Sequence, residues 1–345
     1  MNDHEQRPEL RRALGLFDAT SISIGAIVGA GIFVVTGIAA GLAGSGVVVS
    51  MIIASVISLL TALSFVELAR YLPREGGVYE FAYQLLSPFA GFMTGWMWLV
   101  SNLLTGAAVS LGFAYYLGFV FVGLPPAITA AALCVFFTLL NYIGVRQSAA
   151  LNNLLVTGKI LILAFFVMFG AGSVNPSNYS PFSPFGAGVL QGAFYVFFAF
   201  GGFARVTVIA EEVRDPERTV PRAILLSILI SAIIYVLVGL VSVGLVGPAS
   251  LAASDSPLSE AISQTGNHAA VLIVSAGGVI ATASVLLTTI LGISRMSFAM
   301  ARRNDLPPAQ VRTGSRRLSR EALPRSQYCS HHCTRRGEPE DPPQS

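Results

Sequence analysis

Long apolar runs separated by short polar punctuation dominate this chain. Eight stretches, at about 16–42, 46–68, 89–121, 125–145, 152–173, 188–212, 221–246 and 269–301, each supply the roughly 20 mostly apolar residues that a helix needs to cross the hydrocarbon core. No polar face recurs along them at helical spacing, as a water-soluble bundle would require. The separators carry Gly, Pro, Ser and Asn clusters, such as GLAGSG after the first run and SVNPSNYSPFSPFG after the fifth. The pattern predicts an all-α integral membrane protein with about eight transmembrane helices.

Charge adds a direction to that picture. Of 345 residues, 54% are hydrophobic and 11% charged, against about 25% charged in an ordinary soluble domain. Arg7, Arg11 and Arg12 precede the first run, Arg70 and Arg74 follow the second, and Arg146 follows the fourth. Arg214, Arg218 and Arg222 follow the sixth run, and Arg302 and Arg303 the eighth. The alternate loops hold no Lys or Arg, although Asp255 and Glu260 sit after the seventh run. The positive-inside rule then predicts a multi-pass protein of the cell (plasma or inner) membrane with a cytoplasmic N-terminus. No cleavable signal is expected ahead of the first span. The net charge of +3 comes with no basic stripe, so no nucleic-acid partner is expected. Cys134, Cys329 and Cys333 do not form a disulfide framework. Oligomeric state is not readable.

Four local features rise above generic hydrophobicity. SISIGAIVGAGIF in the first span places Gly25, Gly29 and Gly31 close together. Such spacing serves close helix packing; it also lets a helix unwind in the membrane where the freed backbone lines a cavity. FYVFFAFGGFARV in the sixth span carries the interruption Gly201–Gly202, five spans after the first. Paired interruptions at corresponding places in two halves point to a transporter's binding site. Lys159 in span five is the only lysine in the chain. It either snorkels to the headgroups or sits in a desolvated site, where a lysine can exchange its proton near neutral pH. Arg205 in span six precedes Glu212 by seven residues, which predicts a pair on one helical face. Lastly, AEEVRDPERTVPRAI at 210–224 reads as a solvated linker, with Pro216 and Pro221 stopping the helices.

No catalytic triad, phosphate loop or dinucleotide motif is visible, so no enzymatic activity and no cofactor are expected. Cys329, His331, His332 and Cys333 have short spacing in a polar tail and lack the second ligand pair of a structural metal site, so no metal is expected.

The order and spacing of several motifs resemble amino acid permeases of the amino acid–polyamine–organocation superfamily. The matching segments are LGLFDATSISIGAIVGAGIF, ELARYLPREGGVYEFA, SPFAGFMTGWMWL, FFAFGGF followed by AEEVRDPERTVPRAI, and ISRMSFAMARRNDLPP. The resemblance runs through about residues 10–308 and implies a leucine-transporter-like inverted-repeat helical bundle. Repeat one would span about 16–173 and a partial repeat two about 188–301, between a cytoplasmic segment 1–15 and a polar tail 309–345. It further implies an amino acid bound between broken spans one and six. Amides around Ala30, Gly31 and Ile32 would take its carboxylate, carbonyls around Phe198, Ala199 and Gly201 its ammonium, and Phe200 and Phe203 would shape or gate the pocket. In sodium-independent members a span-five lysine replaces a sodium ion. Lys159 matches it, with a carbonyl near Gly25 and a hydroxyl of Thr282 or Ser284 as expected neighbours, which implies proton-coupled uptake.

After Pro308 the family would continue with membrane helices, whereas residues 309–345 are polar, Arg- and Pro-rich, and read as disordered. The expectation is a truncated or shifted frame near residue 309, without spans nine to twelve. Proton-coupled symport of amino acids is the leading reading. An amino acid or polyamine exchanger, a membrane sensor that binds amino acids without moving them, and an inactive fragment stay open beside it. A channel lacks the expected ring of charge or carbonyl filter.

Overall fold

The structure is a computed structural model that describes residues 12–29, 31–72, 76–120, 125–143, 145–254 and 256–306. Ala30, Asp255, Arg74, the first eleven residues and the tail expectations from residue 309 onward lie outside the described residues. The described residues form twelve α-helices: α1 (Leu16–Ile27), α2 (Thr36–Ala43), α3 (Val47–Tyr71), α4 (Val78–Leu85), α5 (Pro88–Val120), α6 (Pro126–Ile143), α7 (Val145–Ala171), α8 (Ala187–Phe200), α9 (Arg205–Val208), α10 (Pro216–Ala253), α11 (Pro257–Ser263) and α12 (His268–Arg302). Among the described residues the one β-type pairing is an isolated parallel bridge between Leu14 and Val213.

Among the described residues seven mainly helical segments are long and apolar enough to cross a membrane, and the first of them, Leu16–Tyr71, covers 56 residues. At about 1.5 Å per residue that run would measure roughly 84 Å, far beyond a hydrocarbon core of about 30 Å. Gly44, at φ 60°, ψ −138°, breaks it, a conformation that glycine adopts without steric penalty. The run therefore holds two crossings, which brings the seven runs to the eight spans of the hydrophobic pattern. The surface is that of a lipid-embedded protein: Leu60, Met97, Leu104, Ile128, Leu161 and Met168 all point outward. Burial is uneven among spans. About 61% of the apolar window of α12 is inside the protein, against 11% for α6, so α12 forms the centre of the bundle and α6 its periphery.

The loops sort to two ends. At one end Ala13 and Leu14 donate to the Glu212 carbonyl, and Gly76 donates to the Val208 carbonyl. There Arg303 grips Glu80 through Nη2–Oε1 at 2.5 Å and Nε–Oε2 at 3.1 Å. Arg302 holds Glu211 in the same bidentate way, at 2.8 and 3.0 Å, and the Tyr79 hydroxyl donates to Asp305 at 2.7 Å. At the other end, Ser45 donates to the Pro181 carbonyl at 2.7 Å and Asn175 to the Gly244 carbonyl at 2.9 Å. This end is built from the loops without Lys or Arg.

Two details depart from the sequence reading. Pro221 does not stop a helix; α10 starts at Pro216, after Asp215 at positive φ, and carries Pro221 in its second turn. A proline there forgoes one i→i−4 bond, the one its N–H would make to the Glu217 carbonyl, and α10 continues through it. The short helices α4 and α11 lie inside segments that hydropathy marks only as loops.

The two arginine clamps should differ in strength. The Glu80 side chain is 3% exposed and that of Glu211 is 21% exposed, so water replaces a lost cation less well at Glu80, where Gln84 still donates at 2.6 Å. In thermal unfolding of purified protein, Arg303→Ala should cost about 3 kcal/mol and Arg302→Ala clearly less; an equal or reversed order would contradict the burial argument.

Candidate functional site

The first helix stops in mid-membrane. α1 ends at Ile27, Val28 is extended (φ −81°, ψ 92°), and the chain resumes as a π-helical turn at Gly31–Val35 before α2. Ending a helix leaves its last carbonyls without intrahelical donors, and lipid supplies no replacement. Other helices supply it here. The Tyr235 hydroxyl of α10 donates to the Ile27 carbonyl at 2.8 Å. Lys159 Nζ of α7 donates to the Gly25 carbonyl at 3.0 Å and also to the Val28 carbonyl. Its third N–H goes to Ser284 Oγ of α12 at 3.1 Å. An ammonium has three donors and no acceptor, and these three oxygens use all of them. A cation here also suits the negative end of the α1 dipole.

Lys159 is completely buried, so it does not snorkel. Its partner Ser284 donates to Asn152 Oδ1 at 3.1 Å, one face of α7 thus supplying both the ammonium and the amide that orients the hydroxyl. A Cβ on Gly25 would lie 2.5 Å from that amide oxygen, so the bare glycine permits the approach. Near the start of α1, Asp18 accepts from the Gly15 N–H at 2.9 Å and from Asn153 at 2.7 Å, a second tie between α1 and α7.

The sixth span is interrupted at the expected place but in a different manner. After Phe200 the chain tightens into a 3-10 turn, Gly201–Ala204, continues as the single-turn α9, and tightens again at Ala210–Glu212. The two interruptions touch. A Cβ on Gly202 would fall 2.4 Å from the Ala26 carbonyl carbon and 2.6 Å from the Ile27 nitrogen, and one on Gly31 would fall 2.6 Å from the Ala199 Cβ. Ser23 adds a weak bond to the Phe203 carbonyl at 3.4 Å.

The structure thus brings Gly31 and Ala199 together, with Ile32 buried beside them. Phe200 is buried with its ring 4.9 Å from that of Tyr235, and Phe203 packs edge-on against Phe65 at 5.3 Å. Gly201 borders open space. The Phe198 ring turns outward, 67% exposed and against Phe194, while its carbonyl accepts from the Gly201 N–H. Of the two α12 hydroxyls, Ser284 meets Lys159, whereas Thr282 donates back to Gly278 and Val279 of its own helix at 2.9 Å.

Arg205 does not pair with Glu212. The 3-10 turns on either side of α9 rotate the two residues off a common face, and Glu212 pairs with Arg295 at 2.7 Å. Arg205 instead donates to Asn102 Oδ1 at 2.8 Å and lies over the Trp98 ring. Sequence reasoning passed over Tyr235, Asn152 and Asn102. The two asparagines carried a signal, since an amide in an apolar span needs partners.

A family model described as amino acid permease matches residues 18–325. The chain is 37% identical over 319 residues to the branched-chain amino acid permease BcaP of Bacillus subtilis (strain 168), an alignment covering 86% of this chain and 69% of that protein. It is 34% identical over 318 residues to the methylthioribose transporter of the same organism, covering 86% and 69% of the two chains. Against the human cationic amino acid transporter 4 the identity is 33% over 326 residues, covering 87% of this chain and 51% of that one. Among solved structures, the nucleobase-cation-symport-1 family transporter Mhp1, in a closed conformation with bromovinylhydantoin bound, superposes with a TM-score of 0.65. That match covers 93% of this chain and 74% of the other at 15% identity, and it establishes likeness of fold: a leucine-transporter-like helical bundle.

The glycine contacts give a paired expectation. Gly202→Ala drives a methyl into the α1 backbone, whereas Gly201→Ala meets nothing within 4 Å. Thermal unfolding should show Gly202→Ala destabilised by about 1–3 kcal/mol or more and Gly201→Ala near the parent. Equal stability of the two variants would mean that the interruptions do not touch.

Proposed function

The chain belongs to the amino acid permease family, and on that footing we propose that it carries amino acids across the cell membrane by secondary active transport coupled to protons. The observation that carries the coupling is Lys159, completely buried and bonded to the Gly25 and Val28 carbonyls of the broken α1 and to Ser284 of α12. A neutral amine has two N–H donors and an acceptor lone pair, so loss of the proton leaves one of the three oxygens without a donor. Protonation of Lys159 therefore bears directly on how α1 sits against α12.

On this reading the amino acid lies where the interruptions meet. Its carboxylate takes amides of the segment 30–32, as anions do at helix N-termini. The Ile32 N–H now donates to the Gly29 carbonyl at 3.1 Å, so the carboxylate shares or displaces that bond. Carbonyls of Phe198, Ala199 and Gly201 take the ammonium, and Phe200 and Phe203 bound the pocket, with Tyr235 behind Phe200 as an addition from the structure. The end gathering Arg12, Arg214, Arg302 and Arg303 is cytoplasmic, by the positive-inside rule. Residues 16–308 form the permease core, as repeat one at about 16–173 and a partial repeat two at about 188–301.

Uptake of radiolabelled amino acids into proteoliposomes, with and without an inward proton gradient, tests this. Gradient-driven accumulation that falls at least tenfold in Lys159→Ala supports proton coupling. Exchange that ignores the gradient and survives Lys159→Ala favours the exchanger, and saturable binding without accumulation favours a sensor.

A further inference from the structure

Arg205 is the buried charge that the account above leaves unused. It is 9% exposed, and Nη2 donates to Asn102 Oδ1 at 2.8 Å. Its guanidinium carbon stands 5.0 Å over the Trp98 ring. Asn102 is itself held, because its Nδ2 donates to the Trp98 carbonyl at 2.8 Å. Arg205 Nε and Nη1 are buried without a partner.

Among the described residues no carboxylate pairs with it. Glu212 faces Arg295 and Glu211 faces Arg302. A buried guanidinium is ordinarily paired, because desolvating it without a counter-charge is unfavourable. The surroundings form a cradle. A Cβ on Gly292 of α12 would lie 2.4 Å from Nη1 and 3.0 Å from the Trp98 ring, so the bare glycine lets the guanidinium pack between α5 and α12. One turn earlier on α12, Thr289 Oγ1 is also buried without a partner, and the Thr289 methyl faces Gly106, one turn beyond Asn102 on α5. The unused polar atoms along this seam are N–H donors and one hydroxyl, around a fixed positive charge. Their natural complement is a planar anion with acceptor oxygens.

We propose that Arg205, oriented by Asn102 and Trp98, binds a carboxylate at a second station of the solute path, just beyond the Gly201–Ala204 turn. This rests on the reading that solute binds where the two interruptions meet, and it adds a separate site with its own partners. The α-carboxylate of a solute moving toward the arginine-rich end and the side-chain carboxylate of an acidic solute share the chemistry that Arg205 recognises.

The chain has two tryptophans, so Trp96→Phe leaves Trp98 as the sole emitter beneath the guanidinium. The full chain carrying Trp96→Phe, in lipid nanodiscs, is titrated with acetate or chloride against methanesulfonate at fixed ionic strength. The expected result is a saturable change in Trp98 emission with acetate and at least tenfold weaker binding of chloride. The response should be lost in Arg205→Gln and its midpoint raised at least tenfold in Asn102→Ala. No saturable acetate response in a sample with a cooperative unfolding transition would overturn the assignment. So would an equal response to chloride, or one that survives Arg205→Gln. Should Arg205→Gln not fold, an unchanged midpoint in Asn102→Ala overturns it as well. Transport is read separately: amino acid uptake with a silent Trp98 removes this station alone, and absent uptake with a responsive Trp98 removes the transport reading alone.

Discussion

A helix cannot end inside lipid unless something else takes its carbonyls, and the arrangement of this bundle follows from how α1 meets that constraint. Its last turn is finished by donors from two other helices, the ammonium of Lys159 on α7 and the hydroxyl of Tyr235 on α10. The same ammonium reaches α12 through Ser284. Breaking α1 therefore ties four helices to one point, and an unsatisfied backbone group in hydrocarbon is costly enough to keep them there. The most buried span, α12, runs past this point and carries both Ser284 at the lysine and Gly292 at Arg205.

The second interruption depends on the first. Gly202 lies against the backbone of Ala26 and Ile27, and Gly31 against Ala199, so each break needs the other's missing side chains to close the gap. The aromatic residues around them divide by face. Phe200 and Phe203 pack inward on Tyr235 and Phe65, while Phe198 turns to the outer surface with Phe194. A rigid contact between two locally irregular segments is a reasonable place for a small solute, since irregular backbone in a membrane is tolerated only where protein or a cavity satisfies it.

Much of this was legible in the sequence, for identifiable reasons. Span positions follow from hydropathy, and the alternating arginines check their number, because one missed span would have put arginines on both sides of the membrane. The proximity of Lys159 to Gly25 and Ser284 came from the resemblance, since nothing in local spacing brings residues 25, 159 and 284 together. Contacts that depend on helix rotation stayed hidden: Tyr235 sits in an unbroken apolar run, and Asn152 meets Ser284 only once α7 and α12 are packed. Arg205 was misassigned because a seven-residue offset assumes continuous α-helix, and α9 is four residues long between two 3-10 turns. The helices α4 and α11, of eight and seven residues, are too short for a hydropathy window to separate from loop.

The claim at the centre is that the single lysine is sealed against the broken helix and responds to the solute bound beside it. Labelling with 15N at the lysine ζ position gives one side-chain signal, because the chain has one lysine. NMR of that signal in nanodiscs, with and without an amino acid that the protein accumulates, addresses the claim directly. The account predicts Nζ protons that exchange slowly with water and a chemical shift that moves saturably as the amino acid is added. Exchange as fast as that of free lysine, with a shift indifferent to the amino acid, would contradict it.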